Sequence, residues 1–167
     1  MQLLIGILLC FSASFAFASS YEVEPNDSIP VAMPISLGQP IQGNIATETD
    51  ADRFRFNSGT FTSVRVLYAR PPRSYQYNLA TIRVSTAAGT ALSSVDAYAP
   101  DVFTSFDVGV DAGLDYILDV AGCTGSDCED HRSELYEVMV VGLPNPTFES
   151  EPNNTTAQAD SVAPTGW

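Results

Sequence analysis

Lysine is absent from this chain of 167 residues, and histidine and tryptophan occur once each. All seven cations are arginines (Arg53, Arg55, Arg65, Arg70, Arg73, Arg83 and Arg132), set against 20 carboxylates for a net charge of −13. Such a surface repels phosphate backbones, which argues against a nucleic-acid partner. It suits a soluble secreted protein, and it suits a cation as ligand. A generic acidic coat explains the total charge equally well, so only the clustering of carboxylates argues for more. Catalytic chemistry has little to work with. The one imidazole, His131, sits in the charged stretch Cys128-Glu129-Asp130-His131-Arg132, and no serine lies in a nucleophile-elbow pattern. Acid pairs abound, but a glycosidase needs two carboxylates facing across a cleft, and nothing in the sequence builds one. A noncatalytic protein is expected.

Cysteine is scarce too, with three in all. Cys10 falls within Met1 to Ala18, which reads as a secretory signal peptide. The run Leu3 to Leu9 is apolar and Ala16-Phe17-Ala18 is a small-x-small cleavage site, although no positive residue follows Met1. A membrane anchor is the alternative, but the stretch is short and punctuated by serine and alanine. Lipid attachment at Cys10 is disfavoured by Leu9, where a small residue is needed. No later run is long and apolar enough to span a membrane. Cys123 and Cys128 remain, in the loop Gly122-Cys123-Thr124-Gly125-Ser126-Asp127-Cys128. Export to an oxidising compartment predicts a local disulfide between them. A metal–thiolate pair would need further cysteines or histidines that the sequence does not supply.

Convincing amphipathic helices are missing as well. What is present is a series of short alternating runs separated by glycine and proline. Phe54 and Phe56 alternate with Arg53 and Arg55. Val64, Val66 and Tyr68 share a face within Phe61 to Ala69. Further strands are expected through Tyr77 to Val84, Ala91 to Tyr98, Val102 to Val108, Leu114 to Val120 and Glu134 to Val141. Arg70-Pro71-Pro72-Arg73-Ser74 reads as an exposed loop, because two prolines remove ladder donors. Eight or so strands of this kind predict an all-β protein, an antiparallel β-sandwich of jelly-roll type.

One stretch organises the chain. Glu22-Val23-Glu24-Pro25-Asn26-Asp27 follows the leader, and Glu149-Ser150-Glu151-Pro152-Asn153-Asn154 repeats it about one small domain later. The expected organisation is therefore a signal peptide over 1–18, one sandwich domain over 19–143, a linker over 144–150, and over 151–167 either the start of an incomplete second repeat or a disordered tail. With Gly43-Asn44-Ile45 and Asp50-x-Asp52-x-Phe54-x-Phe56 following the first copy, this region resembles the bacterial pre-peptidase C-terminal domain family. Ala112 to Val120 and Tyr136 to Val140 are similar to that family's last strands. The cysteine loop is not a general feature of the family, and no peptidase domain is present in the sequence.

That family's members include the collagen-binding modules of clostridial collagenases, which hold calcium at the N-terminal acidic segment. The resemblance implies a β-sandwich of jelly-roll type and a calcium site at Glu22, Glu24, Asn26 and Asp27, joined by Asp50 and Asp52. The residues themselves fit that chemistry. Calcium takes six to eight oxygen ligands, an extended segment projects Glu22, Glu24 and Asn26 to one side, and Asp50 and Asp52 share a face by the same period. A carbonyl near Thr47 or Glu48 is a further candidate ligand. The competing reading makes Glu-Pro-Asn-Asp a simple turn, with Asp27 or Ser28 bonding nearby amides. Tyr68, Tyr75, Tyr77 and Tyr98 hint at a binding surface, or else are half-buried strand residues. The expected function is a secreted or cell-surface accessory module, stabilised by calcium. It either binds an extracellular protein or polysaccharide polymer or acts as a spacer. The alternatives are a maturation or export segment of a secreted peptidase, or part of a tandem-domain surface protein.

Overall fold

The computed structural model describes residues 20–47, 50–70, 78–98, 103–122 and 135–144. The signal peptide, the Pro71-Pro72 loop, Tyr75, Tyr77, Cys123, Cys128, His131 and the second motif copy lie outside the described residues.

Among the described residues ten strands are formed: β1 (Ser20–Tyr21), β2 (Met33–Pro34), β3 (Ile41–Gly43), β4 (Ala51–Asn57), β5 (Ser63–Ala69), β6 (Asn78–Thr86), β7 (Ala91–Tyr98), β8 (Phe103–Gly109), β9 (Asp115–Gly122) and β10 (Tyr136–Gly142). They make two five-stranded sheets, β1-β3-β10-β5-β8 and β2-β4-β9-β6-β7. From β3 onward the pairing is nested. β6 pairs with β7, β5 with β8, β4 with β9 and β3 with β10, all antiparallel. The chain thus folds back on itself as one long double strand, which rolls into a sandwich when β10 also pairs with β5 and β6 with β9. This winding is the jelly roll.

The sheets are not purely antiparallel. β1 runs parallel to β3, and β2 runs parallel to β4. Both additions are two residues long, too short to leave a periodic signal in the sequence. They follow from the N-terminal segment lying along the edges of strands already paired on their other side.

The core follows the period-two alternation. Phe54 and Phe56 of β4, Val64, Val66 and Tyr68 of β5, Ile82 and Val84 of β6, Tyr116, Leu118 and Val120 of β9, and Val138 and Val140 of β10 point between the sheets and are buried. The tight β4–β5 and β6–β7 connections place Gly59 and Gly89 at φ 61° and φ 90°, a backbone region that side chains with a Cβ resist. On the outer face of the second sheet, Asp119 sits between Arg53 (2.6 Å) and Arg83 (3.0 Å), one row across β4, β9 and β6. Next to that row, the Arg55 guanidinium donates to the Ile29 carbonyl at 2.9 Å, which fastens the short 3-10 turn Ile29–Val31 over the sheet.

Because Phe54 is fully buried at the centre of this core, Phe54→Ala is expected to lower the unfolding free energy by about 3–5 kcal/mol. Leu92→Ala, at an exposed site, should move it by less than about 0.5 kcal/mol. Urea unfolding followed by tyrosine fluorescence measures both.

Candidate metal centre

The site lies where the N-terminal segment crosses from one sheet to the other. β1 holds the segment in register, with Ser20 opposite Ile41 and Tyr21 opposite Gln42. The Glu22 amide then donates to the Gln42 carbonyl at 2.8 Å, which fixes where its side chain enters. Glu22 Oε1 accepts from the Asn44 amide (2.6 Å) and Oε2 from Asn26 Nδ2 (3.4 Å). Glu24 Oε2 accepts from the Asn26 amide at 2.8 Å, across a cis Glu24–Pro25 bond. Within the motif, then, the backbone amide of Asn26 is bonded by Glu24, where the turn reading places Asp27 or Ser28.

β4 supplies the opposite wall. The alternation that sends Phe54 and Phe56 inward sends Asp52 inward too, at the end of the strand, and Asp52 is 0% exposed. Tyr136, at the start of β10, donates its hydroxyl to Asp52 Oδ2 at 2.5 Å. Its ring stacks on Tyr68 with centroids 5.6 Å apart. Glu22, Glu24 and Asp52 each bring one carboxylate oxygen within 4.8 Å of the others. Asn26 is 0% exposed among them.

Two buried oxygens in this cluster have no donor, Asn26 Oδ1 and Asp52 Oδ1. A buried acceptor left unpaired is costly, and more so when charged. Burial, together with the charges of Glu22 and Asp50, pushes the Asp52 carboxyl up to about 9, although the Tyr136 hydroxyl pulls the other way. Glu22 is raised chiefly by burial as well, and the Asn44 amide offsets part of that. The interaction between the two carboxyls itself lowers Glu22 and raises Asp52.

Asp27 and Asp50 stand beside this group rather than within it. Asp50 is buried and accepts from the Ala46 amide. Burial raises its carboxyl first, followed by the carboxyl of Asp27 and the charge of Glu24. Asp27 is exposed. The Thr47 carbonyl accepts from the Asp50 amide at 3.2 Å.

Tyr136 and Gly43 are the residues that reasoning from sequence missed. A Cβ at Gly43 would stand 2.3 Å from the Tyr136 hydroxyl and 2.8 Å from Glu22 Oε2. Gly43 therefore makes the space in which Tyr136 and Glu22 meet. Its place just before Asn44 in the motif was the available signal. Among the tyrosines read as a binding hint, Tyr68 is buried inside the sandwich and Tyr98 is exposed at the end of β7.

The donor set is all oxygen: three carboxylates, an amide oxygen, and two further carboxylates beside them. Zinc prefers nitrogen and sulfur, whereas calcium takes this set. The two orphaned oxygens are what a hard cation would satisfy, so the residues fit calcium.

No protein-family model matches the sequence, and no curated protein matches it. Among solved structures, the chain is similar to the pre-peptidase C-terminal domain of a collagenase from Bacillus anthracis. The identity is 16%, over 65% of this chain and 93% of that one, with a TM-score of 0.46. It is also similar to PliG of Aeromonas hydrophila, a periplasmic inhibitor of g-type lysozyme. There the identity is 10%, over 74% of this chain and 99% of that one, with a TM-score of 0.36. The family resemblance rests on the residues of the motif, not on these two neighbours.

Two outcomes follow for the cation-free protein. Gly43→Ala should destabilise the fold by about 1–3 kcal/mol through overpacking, measured by urea unfolding in chelator. The pH dependence is set by carboxyls whose folded pKa lies above the unfolded one, with Asp52 near 9. Between the unfolded carboxyl pKa of about 4 and that value, the folded chain holds protons the unfolded chain has released. In chelator, the melting temperature should therefore fall as pH rises from about 5 to about 9. Asp52→Asn should flatten that fall.

Proposed function

We propose that this chain is a noncatalytic, extracellular β-sandwich module whose N-terminal segment is locked by calcium, serving to bind or space an extracellular protein or polysaccharide polymer. The observation that carries the calcium reading is the pair of buried, donorless oxygens, Asn26 Oδ1 and Asp52 Oδ1, beside three converging carboxylates. Glu22, Glu24, Asn26 and Asp52 would hold the ion, and Asp27 and Asp50 are the next donors. Bound calcium would supply the positive charge that buried carboxylates otherwise obtain from a proton. The protein's part is to hold those oxygens together: Asn44 and Asn26 orient Glu22, and Tyr136 engages one Asp52 oxygen so that the other faces the cluster. The module reading draws on the exported-protein composition and the family resemblance. The wiring of the site adds to it, because the carboxylates are tied to backbone and tyrosine donors rather than to a base or nucleophile.

The N-terminal segment joins the fold through a two-residue strand, so an ion bridging it to β4 would act on the stability of the folded state. At calcium about 100 times its Kd, the gain is about 2.7 kcal/mol, or roughly 5–15 °C in Tm for a domain of this size. Thermal unfolding in excess calcium and in chelator reads this directly. The gain should vanish in Glu24→Ala, whose side chain is exposed and whose loss leaves the core intact. Coincident wild-type curves would remove calcium and leave a plain spacer module.

A further inference from the structure

In a chain with a net charge of −13, three of the seven arginines stand together on the outer face of the second sheet. Arg53 of β4 and Arg83 of β6 flank Asp119 of β9 in one lateral row, and Arg55 lies two residues along β4 from Arg53. Both Asp119 oxygens are taken. Arg53 Nε donates to Oδ1 at 2.6 Å, and Arg83 donates to Oδ2 through Nε at 3.1 Å and Nη2 at 3.0 Å. One buried carboxylate thus answers two guanidiniums, and the row keeps a net positive charge. The two arginine side chains are 22% and 43% exposed, so the row is open to a ligand. The acids at the margin of this face pair with neutral donors instead of with the arginines. Asp96 of β7 accepts from the Thr81 hydroxyl (2.7 Å) and the Tyr98 hydroxyl (3.4 Å), and Asp115 accepts from Asn57 Nδ2 (2.8 Å).

Two arginines held by a buried carboxylate are preorganised. Little side-chain freedom is left to lose on binding, and the guanidinium fork matches a second carboxylate from the solvent side. At physiological ionic strength, charges more than about 8 Å away are largely screened, so the local excess of cation outweighs the charge of the whole chain. The surroundings narrow the ligand. A protein partner buries an apolar centre, but Ile117, the apolar residue between Arg55 and Ser85 on this face, is already buried. A nucleic acid carries a charge at every step, but Asp96 stands one strand from the arginine row, opposite Thr81. Beyond Asp96 on the same face is the exposed ring of Tyr98, four residues along β7 from Ser94, which is opposite Arg83. From Arg83 to Tyr98 is about 14 Å at strand spacings. We infer that this track binds an acidic polysaccharide whose charged sugars are separated by neutral ones. The carboxylate of one sugar sits on Arg53 and Arg83, a neutral sugar lies over Thr81 and Asp96 with its hydroxyls bonded to their oxygens, and Tyr98 offers its ring to the next sugar. The inference deepens the polymer-binding reading above and rests on it, naming the chemistry of the polymer.

Titration calorimetry of the chain with a hyaluronan oligosaccharide, in which a uronate alternates with a neutral sugar, tests this beside dextran and gelatin. Hyaluronan should bind. Arg53→Gln and Arg83→Gln should each weaken that binding about tenfold or more, the worth of a hydrogen bond to a charged group. Each variant leaves Asp119 one arginine, and an unchanged melting temperature checks the fold. Tyr98→Ala, at an exposed site outside the arginine row, should weaken binding as well and reads the track if either arginine variant fails to fold. Arg65→Gln, which removes an exposed arginine from the other sheet, should leave it unchanged. Equal loss in Arg65→Gln, or binding that survives in Arg53→Gln, Arg83→Gln and Tyr98→Ala, overturns the site in favour of diffuse attraction. Binding to dextran or gelatin without hyaluronan overturns the site and keeps the polymer-binding module. Binding to none of the three overturns the site and the polymer reading together, and leaves a spacer.

Discussion

A carboxylate taken out of water with one oxygen left unpaired is the constraint around which this molecule is arranged. Asp52 occupies an inward-facing position of β4 that alternation would otherwise give to an apolar residue, as it does at Phe54 and Phe56. Leaving such a group ionised in isolation costs several kcal/mol. Three devices limit that cost. The Tyr136 hydroxyl satisfies one oxygen. Gly43 has no Cβ, so Tyr136 and Glu22 can both approach. The third would be a cation at the remaining oxygen; without one, burial keeps the Asp52 carboxyl up at about 9.

The jelly roll explains why these residues meet. Asp52 and Tyr136 are 84 residues apart, yet nested pairing places β3 beside β10 and β4 beside β9 at the same end of the sandwich. The N-terminal segment then crosses between the two sheets at that end, with β1 on β3 and β2 on β4. The site therefore joins the two sheets through a segment held by only two residues of strand on each. Stability of the core and occupancy of the site are separable in principle: Phe54 reports the first and Asn26 the second.

Much of this was legible in the sequence, for stated reasons. The central strands announced themselves because one face is buried and the other wet, so β4, β5, β9 and β10 alternate, with ends displaced by a residue or two. Glu22, Glu24 and Asn26 were legible from the motif, and Asp52 from its phase with Phe54 and Phe56. The parallel edge pairings were not, because two-residue strands carry no period. Nor was Tyr136, whose polar role exists only once β10 lies beside β3. Asp27 and Asp50 have the right chemistry but sit beside the converging trio, a distinction of side-chain direction that spacing does not contain.

The central claim is that a hard cation completes the unpaired oxygens of Asn26 and Asp52. Terbium, a calcium surrogate that emits when excited through a nearby tyrosine, tests it most directly, since Tyr136 is hydrogen-bonded to Asp52 itself. The account predicts tyrosine-sensitised emission that saturates at one ion per chain, is displaced by calcium, and is lost in Asn26→Ala. Emission that does not saturate, or that survives Asn26→Ala unchanged, would contradict it.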